Sequence, residues 1–239
     1  MKAERLLILL IFLVAGAAAE ELKLDHAGID PRDAVSIQRG AQVFVNYCLG
    51  CHSAEAMRYN RLEELGLTEQ QIKDNLMFAT DKIGDTMTVA MRRSDAKPWF
   101  GVAPPDLSVI ARARGADWLY TYLRTFYRDD SRETGWNNLV FPNVGMPHVL
   151  YEQQGQQVLA LHPGSEGESA VPALVLERPG KLSSDEYDKL TADLVNYLVF
   201  ISEPARETRI RLGYAVLIFL GVLFVPVYLL KKQYWKDVH

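Results

Sequence analysis

Five consecutive residues, Cys48-Leu49-Gly50-Cys51-His52, bring two thiols and an imidazole together at a spacing that can hold a cofactor. C-x-x-C-H reads as a c-type haem attachment site: each thiol can add across one vinyl group of haem, and the following imidazole is then placed to bind the iron from one face. Three other readings compete, namely a disulfide between Cys48 and Cys51, a thioredoxin-like redox pair, and half of a zinc site. A thioredoxin motif belongs beside a βαβ pattern, which is missing, and a structural zinc takes four ligands, whereas this chain has two cysteines. Haem attachment is the favoured reading, with the disulfide behind it.

Iron held by His52 needs an occupant on its other side. An open position favours gas binding or peroxide chemistry, whereas methionine closes the site and raises the reduction potential. Met57, Met77, Met87 and Met91 fall in segments that could be helical, where methionine is more often core filler. Met146 lies in the irregular stretch Phe141-Pro142-Asn143-Val144-Gly145-Met146-Pro147-His148, where Gly145 allows close approach and Pro147 stiffens the chain. Met146 is therefore the expected second iron ligand beside His52, and His148 is its rival. His26 and His162 read as solvated. The sequence holds no Ser/His/Asp order, phosphate-binding glycine loop or H-E-x-x-H, so no catalytic residue is expected.

Those residues need elements to hold them. Ile37, Gly40, Phe44 and Tyr47 recur at spacings of three and four, which predicts a helix starting at Asp30-Pro31-Arg32-Asp33 and running to Tyr47. Gly40 on that apolar face costs about 1 kcal/mol relative to alanine, which points to close approach of another helix. Its partner is a helix that starts at Ser183-Ser184-Asp185-Glu186, carries the stripe Leu190, Leu194, Tyr197, Leu198, Ile201, and breaks at Pro204. Between the two, Glu63 to Lys82 reads as one helix with Thr68-Glu69-Gln70-Gln71 as a cap. Ala103-Pro104-Pro105-Asp106-Leu107-Ser108 must be extended. A helix resumes at Val109, pauses at Gly115, and continues to Phe126 with Asp117 as its cap. Val158-Leu159-Ala160-Leu161 and Ala173-Leu174-Val175-Leu176 could pair as a small hairpin.

The 239 residues are 49% hydrophobic and 23% charged, with a formal net charge of -4. That composition suits one good-sized domain, and without a basic stripe it offers nothing to nucleic acid. Lys2 and Arg5, the apolar run Leu6-Leu7-Ile8-Leu9-Leu10-Ile11-Phe12-Leu13-Val14 and Ala17-Ala18-Ala19 read as a secretory signal peptide rather than an uncleaved anchor. Cleavage after Ala19 is expected, leaving Glu20 as the mature start. Residues 212–230 carry no charge and, at about 1.5 Å per residue, can cross a bilayer. Pro226 can be tolerated there. Arg206, Arg209 and Arg211 before this segment balance Lys231, Lys232 and Lys236 after it, so basic residues do not set its orientation. The signal peptide does: it puts a haem domain (20–205) outside the cytoplasmic membrane, followed by a linker (206–211), the transmembrane helix (212–230) and a cytoplasmic tail (231–239).

Taken in order, the motifs resemble those of the cytochrome c1 family, the haem-bearing subunit of the cytochrome bc1 complex, in a bacterial form. The likeness rests on Arg39-Gly40-Ala41-Gln42-Val43-Phe44 leading into Cys48-Leu49-Gly50-Cys51-His52-Ser53, on Ala103-Pro104-Pro105-Asp106-Leu107-Ser108, on Arg112-Ala113-Arg114, on Met146-Pro147, and on Ser202-Glu203-Pro204 ahead of the anchor. Gly40, Phe44 and Tyr197 resemble the crossing of terminal helices in small cytochromes c. The resemblance implies a mainly α, class I cytochrome c-like fold with insertions and one covalent haem c per chain. It implies that Pro104 and Pro105 lie beside the haem on the histidine side, that Arg114 approaches a propionate, and that Trp118 packs near the haem. It also implies partners: cytochrome b, a Rieske iron-sulfur protein as electron donor, another cytochrome c as acceptor, and the lipid bilayer, in a dimeric complex with the haem domain in the periplasm. The isolated chain would be an electron carrier, and part of an enzyme only as a subunit of a quinol-cytochrome c oxidoreductase. Longer relatives carry more acidic segments than Glu166-Gly167-Glu168, which leaves the acceptor open. The alternatives are a c-type subunit of a terminal oxidase and an open-iron sensor or peroxidase.

Overall fold

The computed structural model describes residues 23–162 and 171–237. The signal-peptide reading of residues 1–19, the Glu166-Gly167-Glu168 stretch and the His162 side chain lie outside what is described. Asp33 starts the first helix, α1 (Ala34–Val43), by accepting from the N–H groups of Val35 and Ser36 at 3.1 and 3.0 Å. Pro31 stands ahead of the cap and not in the first turn. Past Val43 the helix widens into a single π turn, Phe44–Cys48, in which the Leu49 N–H reaches back to the Phe44 carbonyl at 2.9 Å. Such turns recur at functional sites. This one rephases the chain, so Tyr47, expected on the buried face, is 36% exposed.

Residues 63–82 do not form one helix. A 3-10 turn, Tyr59–Leu65, ends at Gly66, whose φ of 83° is left-handed. α2 (Glu69–Leu76) then starts afresh on Thr68, which shares a capping box with Gln71. The cap stands where expected, but the glycine before it closes the first piece. Strands β1 (Ala54–Arg58) and β2 (Thr86–Met87) pair antiparallel. They deliver Met57 and Met87 to the core, each almost fully buried, from strands and not from helices.

After α3 (Arg93–Phe100) the proline pair keeps residues 103–107 irregular. This segment is clamped to the chain just past the C-x-x-C-H motif. The Leu107 N–H donates to the Ser53 carbonyl at 2.8 Å, the Glu55 N–H to an Asp106 carboxylate oxygen at 2.8 Å, and the Ala56 N–H to the Ser108 hydroxyl at 2.9 Å. α4 (Ile110–Arg114) and α5 (Ala116–Arg124) are divided at Gly115. Asp117 does not cap α5. Its carboxylate accepts from the Ala27 N–H at 2.8 Å and lies 3.2 Å from His26 Nδ1, tying down the N-terminal segment. The Ala27 N–H, with His26 helping, holds that carboxyl below its ordinary range. The His26 ring is 85% exposed, as expected. The helix stops at Arg124, and Phe126 belongs to a strand.

That strand, β3 (Phe126–Arg128), joins β4 (Trp136–Asn138), and after the short α6 (Tyr151–Gln154) come β5 (Gly155–His162) and β6 (Val171–Pro179). The sheet order is β4-β3-β5-β6. The anticipated hairpin forms, pairing Val158 with Val175, Leu159 with Leu174 and Ala160 with Ala173. Its attachment to β3, in parallel at Arg128 and Val158, was not anticipated.

α7 (Ser184–Ser202) opens on a capping box between Ser183 and Glu186 and buries Leu194, Tyr197, Leu198 and Ile201. It packs on α1 at Gly40. Around that contact, Arg39 Nε and the Ser36 hydroxyl each donate to the Asp193 carboxylate at 2.6 Å, so the buried charge is paired. Glu203, Pro204 and Ala205 separate α7 from α8 (Arg206–Tyr234). Residues 206–211, expected as a linker, are the first turns of α8. The span Thr208–Tyr234, with a mean hydropathy of 2.4 in its most apolar stretch, is long and apolar enough to cross a membrane, and none of that stretch is buried by the described residues. The molecule is thus mainly α with two small sheets.

Candidate functional site

The π turn after α1, the proline segment, α5, the Met146 loop and one face of α7 enclose an apolar cavity of about 380 Å³. That is within the range of small-molecule and cofactor sites. Cys48, Cys51, His52, Pro104, Pro105, Arg114, Trp118 and Met146 all line it. Eight residues spread over about a hundred positions of sequence thus meet on one surface.

On one wall, His52 Nδ1 lies 2.8 Å from the Pro105 carbonyl oxygen. A carbonyl only accepts, so the ring proton sits on Nδ1 and the Nε2 lone pair is left to bind a metal. Burial lowers the His52 pKa against a smaller upward pull from the Pro105 bond, which keeps the ring neutral. Cys48 is buried and Cys51 half-buried, and both are free thiols. Burial pushes the Cys48 thiol up to about 12, with Cys51 adding to the effect, and burial also raises Cys51. Neither is a thiolate at neutral pH, the form that disulfide exchange requires.

On another wall, among the described residues, Met146 is the sole methionine lining the cavity. Met87 spends its sulfur elsewhere, accepting the Tyr197 hydroxyl at 3.1 Å in the core. The Met146 loop is strapped from several directions. Asn143, with φ 62°, donates its N–H to the Asn137 side-chain oxygen at 2.8 Å, and Arg132 donates to both Asn143 oxygens at 3.0 and 3.1 Å. A Cβ on Gly145 would stand 2.8 Å from Val102, so the expected close approach is made against the segment after α3. His148 is off the cavity wall. Its ring is buried, stacked on Phe126 at 4.9 Å and edge-on to Trp136 at 5.1 Å.

At the rim, the Arg114 guanidinium lies over the Trp118 ring at 4.9 Å and near Phe141 at 5.8 Å. Trp118 in turn stacks on Tyr122, 5.0 Å away and nearly parallel. Two polar lining residues were not assigned to the site from sequence. Tyr47 was read as helix core; its hydroxyl accepts from Gln153 Nε2 at 2.8 Å. Tyr122 was overlooked, although its spacing of four from Trp118 on one helix was a usable signal. Its hydroxyl donates to the Met146 sulfur at 3.3 Å, and burial raises its pKa, so it stays protonated.

Residues 26–158 and 180–238 match the Cytochrome C1 family. The chain is 53% identical over 234 residues to a Nitrosomonas europaea protein named ammonia monooxygenase gamma subunit, covering 98% of this chain and 97% of that one. It is 50% identical over 230 residues to cytochrome c1 of Allochromatium vinosum, covering 95% and 93%. Among solved structures, a chain of a hyperthermophilic respiratory Complex III aligns with a TM-score of 0.42 at 14% identity, covering 99% and 96%. With its family model matched over most of the sequence on both sides of the β5–β6 hairpin, this chain belongs to the Cytochrome C1 family.

Proposed function

We propose that the chain is the haem-bearing electron-transfer subunit of a bacterial quinol-cytochrome c oxidoreductase of the bc1 type. The observation that carries this is the meeting of the two cysteines, His52 and Met146 in one apolar cavity. The donor set fits haem c: two thiols for covalent attachment, an imidazole with its proton turned away from the cavity, and a thioether across from apolar walls. Bound there, haem c supplies one-electron exchange at its iron. Cys48 and Cys51 would attach it, and His52 Nε2 and Met146 Sδ would bind its iron. Pro104 and Pro105 would flank the histidine side. Arg114 would face a propionate and Trp118 would pack against the group.

The chain's own contribution is rigidity. His52 is fixed through Pro105, and the Met146 loop through Asn137, Asn143 and Arg132. Ligands held this way move little when charge changes, which is what fast electron exchange requires. In this reading the chain accepts an electron from a Rieske iron-sulfur protein and passes it to another cytochrome c, beside cytochrome b in a dimeric assembly. Residues 212–230 anchor it in the cytoplasmic membrane, residues 20–205 lie in the periplasm after removal of 1–19, and residues 231–239 face the cytoplasm.

Purification of the tagged full-length chain from its membrane tests this. Expected are haem that stays with the polypeptide through acid-acetone extraction, an N-terminus at Glu20, and co-isolation of a cytochrome b and a Rieske protein. The name of the Nitrosomonas relative favours a second reading, a subunit beside a monooxygenase. Co-isolation of an oxygenase in place of cytochrome b would select it.

A further inference from the structure

We propose that Tyr122 is a positioning residue for Met146 and, through the sulfur, sets how strongly the site holds an electron. This rests on reading Met146 as an iron ligand. The Tyr122 hydroxyl donates to Met146 Sδ at 3.3 Å, and both residues line the cavity. The tyrosine ring is itself held, stacked on Trp118 at 5.0 Å and edge-on to Phe126 at 5.0 Å. A thioether sulfur has two lone pairs, so it can accept this hydrogen bond with one and face the cavity with the other. A hydroxyl drawing electron density from the sulfur makes it a poorer donor to oxidised iron, which favours the reduced form. It also fixes the side-chain rotation of a flexible residue that otherwise has three free torsions.

The same donor and acceptor types meet at Tyr197 and Met87, at 3.1 Å. Neither of those two side chains lines the cavity, and there the bond satisfies a buried hydroxyl and does nothing more. What separates the Tyr122 pair is its place on the cavity that the C-x-x-C-H turn also lines.

The test uses the haem-loaded full-length chain in detergent. Tyr122→Phe keeps the ring and its stacking and removes only the hydroxyl. At a fixed poise the ratio of reduced to oxidised protein is expected to fall about fivefold, the equivalent of one hydrogen bond. Binding of added imidazole to the oxidised protein is expected to fall by a similar factor, because without the hydroxyl the sulfur is the better donor to oxidised iron. An unchanged ratio overturns the proposal. Met146→Leu separates the two readings. If it leaves both the ratio and the sulfur-to-iron charge-transfer band untouched, the ligand reading has failed; if it moves them while Tyr122→Phe does not, only the role of Tyr122 has failed. In the double variant Tyr122→Phe must be silent. A remaining effect would mean that the hydroxyl acts by some route other than the sulfur, which also overturns the proposal.

Discussion

Gly40 and Asp193 meet backbone to backbone: a Cβ on Gly40 would stand 2.0 Å from the Asp193 carbonyl oxygen and 2.7 Å from the Tyr197 Cβ. Neither neighbour is the loose end of a side chain. Gly40→Ala must therefore push α1 and α7 apart, and both carry cavity-lining residues or lead into them.

The expected cost of Gly40→Ala is about 3 kcal/mol, the upper end for overpacking because backbone has to yield. Denaturant unfolding of the haem-loaded protein measures it. An unchanged midpoint would show that the crossing is looser than it looks.

Asn138 carries a different load. Its side-chain N–H donates to the Tyr122 carbonyl at 2.7 Å, while its side-chain oxygen accepts from the N–H groups of Val140 and Phe141 at 2.9 and 3.0 Å. Asn138→Leu removes the partner of three part-buried backbone groups, at a total cost of about 1–3 kcal/mol. Beyond lost stability, the Met146 loop should loosen from α5, so that carbon monoxide binds the reduced protein more readily than in the parent. Equal carbon monoxide binding would separate loop anchoring from ligand retention.

His148 predicts a pH dependence. Burial pushes its pKa down to about 4, against a smaller upward pull from Gln154. At pH values above the ordinary histidine value of 6.5 the ring is neutral whether the chain is folded or unfolded, and stability is fully present. As the pH falls from there towards 4 the unfolded chain binds a proton that the folded one refuses, and stability drops, by about 3 kcal/mol at the limit. His148→Phe, which can keep the stack on Phe126, should flatten this part of the profile. Denaturation midpoints of both proteins at pH 7 and pH 4.5 give the comparison, and parallel profiles would count against it.

Arg114 is exposed and held over Trp118 by its charge. Arg114→Gln should leave stability within about 0.5 kcal/mol, as for most surface changes. It should lower the reduction potential, because a positive charge near the site favours the electron-richer state. Potentiometric titration reads this directly, and an unshifted potential would return Arg114 to the role of a surface side chain.

Much of the site could be read from local patterns. The C-x-x-C-H run, the proline pair and the glycine before Met146 are each constrained by covalent chemistry or backbone freedom, and all fall on the cavity. The crossing of α1 on α7 was legible because a glycine on an apolar face has few other uses. Other features depended on distant partners. Asp117 had the right chemistry for a cap but found Ala27, some ninety residues earlier in the chain, a better use for its oxygens. Met57 and Met87 became strand residues because β1 and β2 pair only with each other, which neither short segment announces. β3 gains its place from Val158 thirty residues on. Tyr122 offered only its spacing from Trp118, since its significance arises from where the loop beyond β4 folds back.

The three residues between α7 and α8 have a consequence for traffic. Fully stretched, Glu203, Pro204 and Ala205 reach about 10 Å, far less than the width of a small protein. With α8 embedded, the domain is on a leash too short for it to travel between donor and acceptor. On the proposed function it is a landing place, and whatever carries charge to it or away from it has to do the moving.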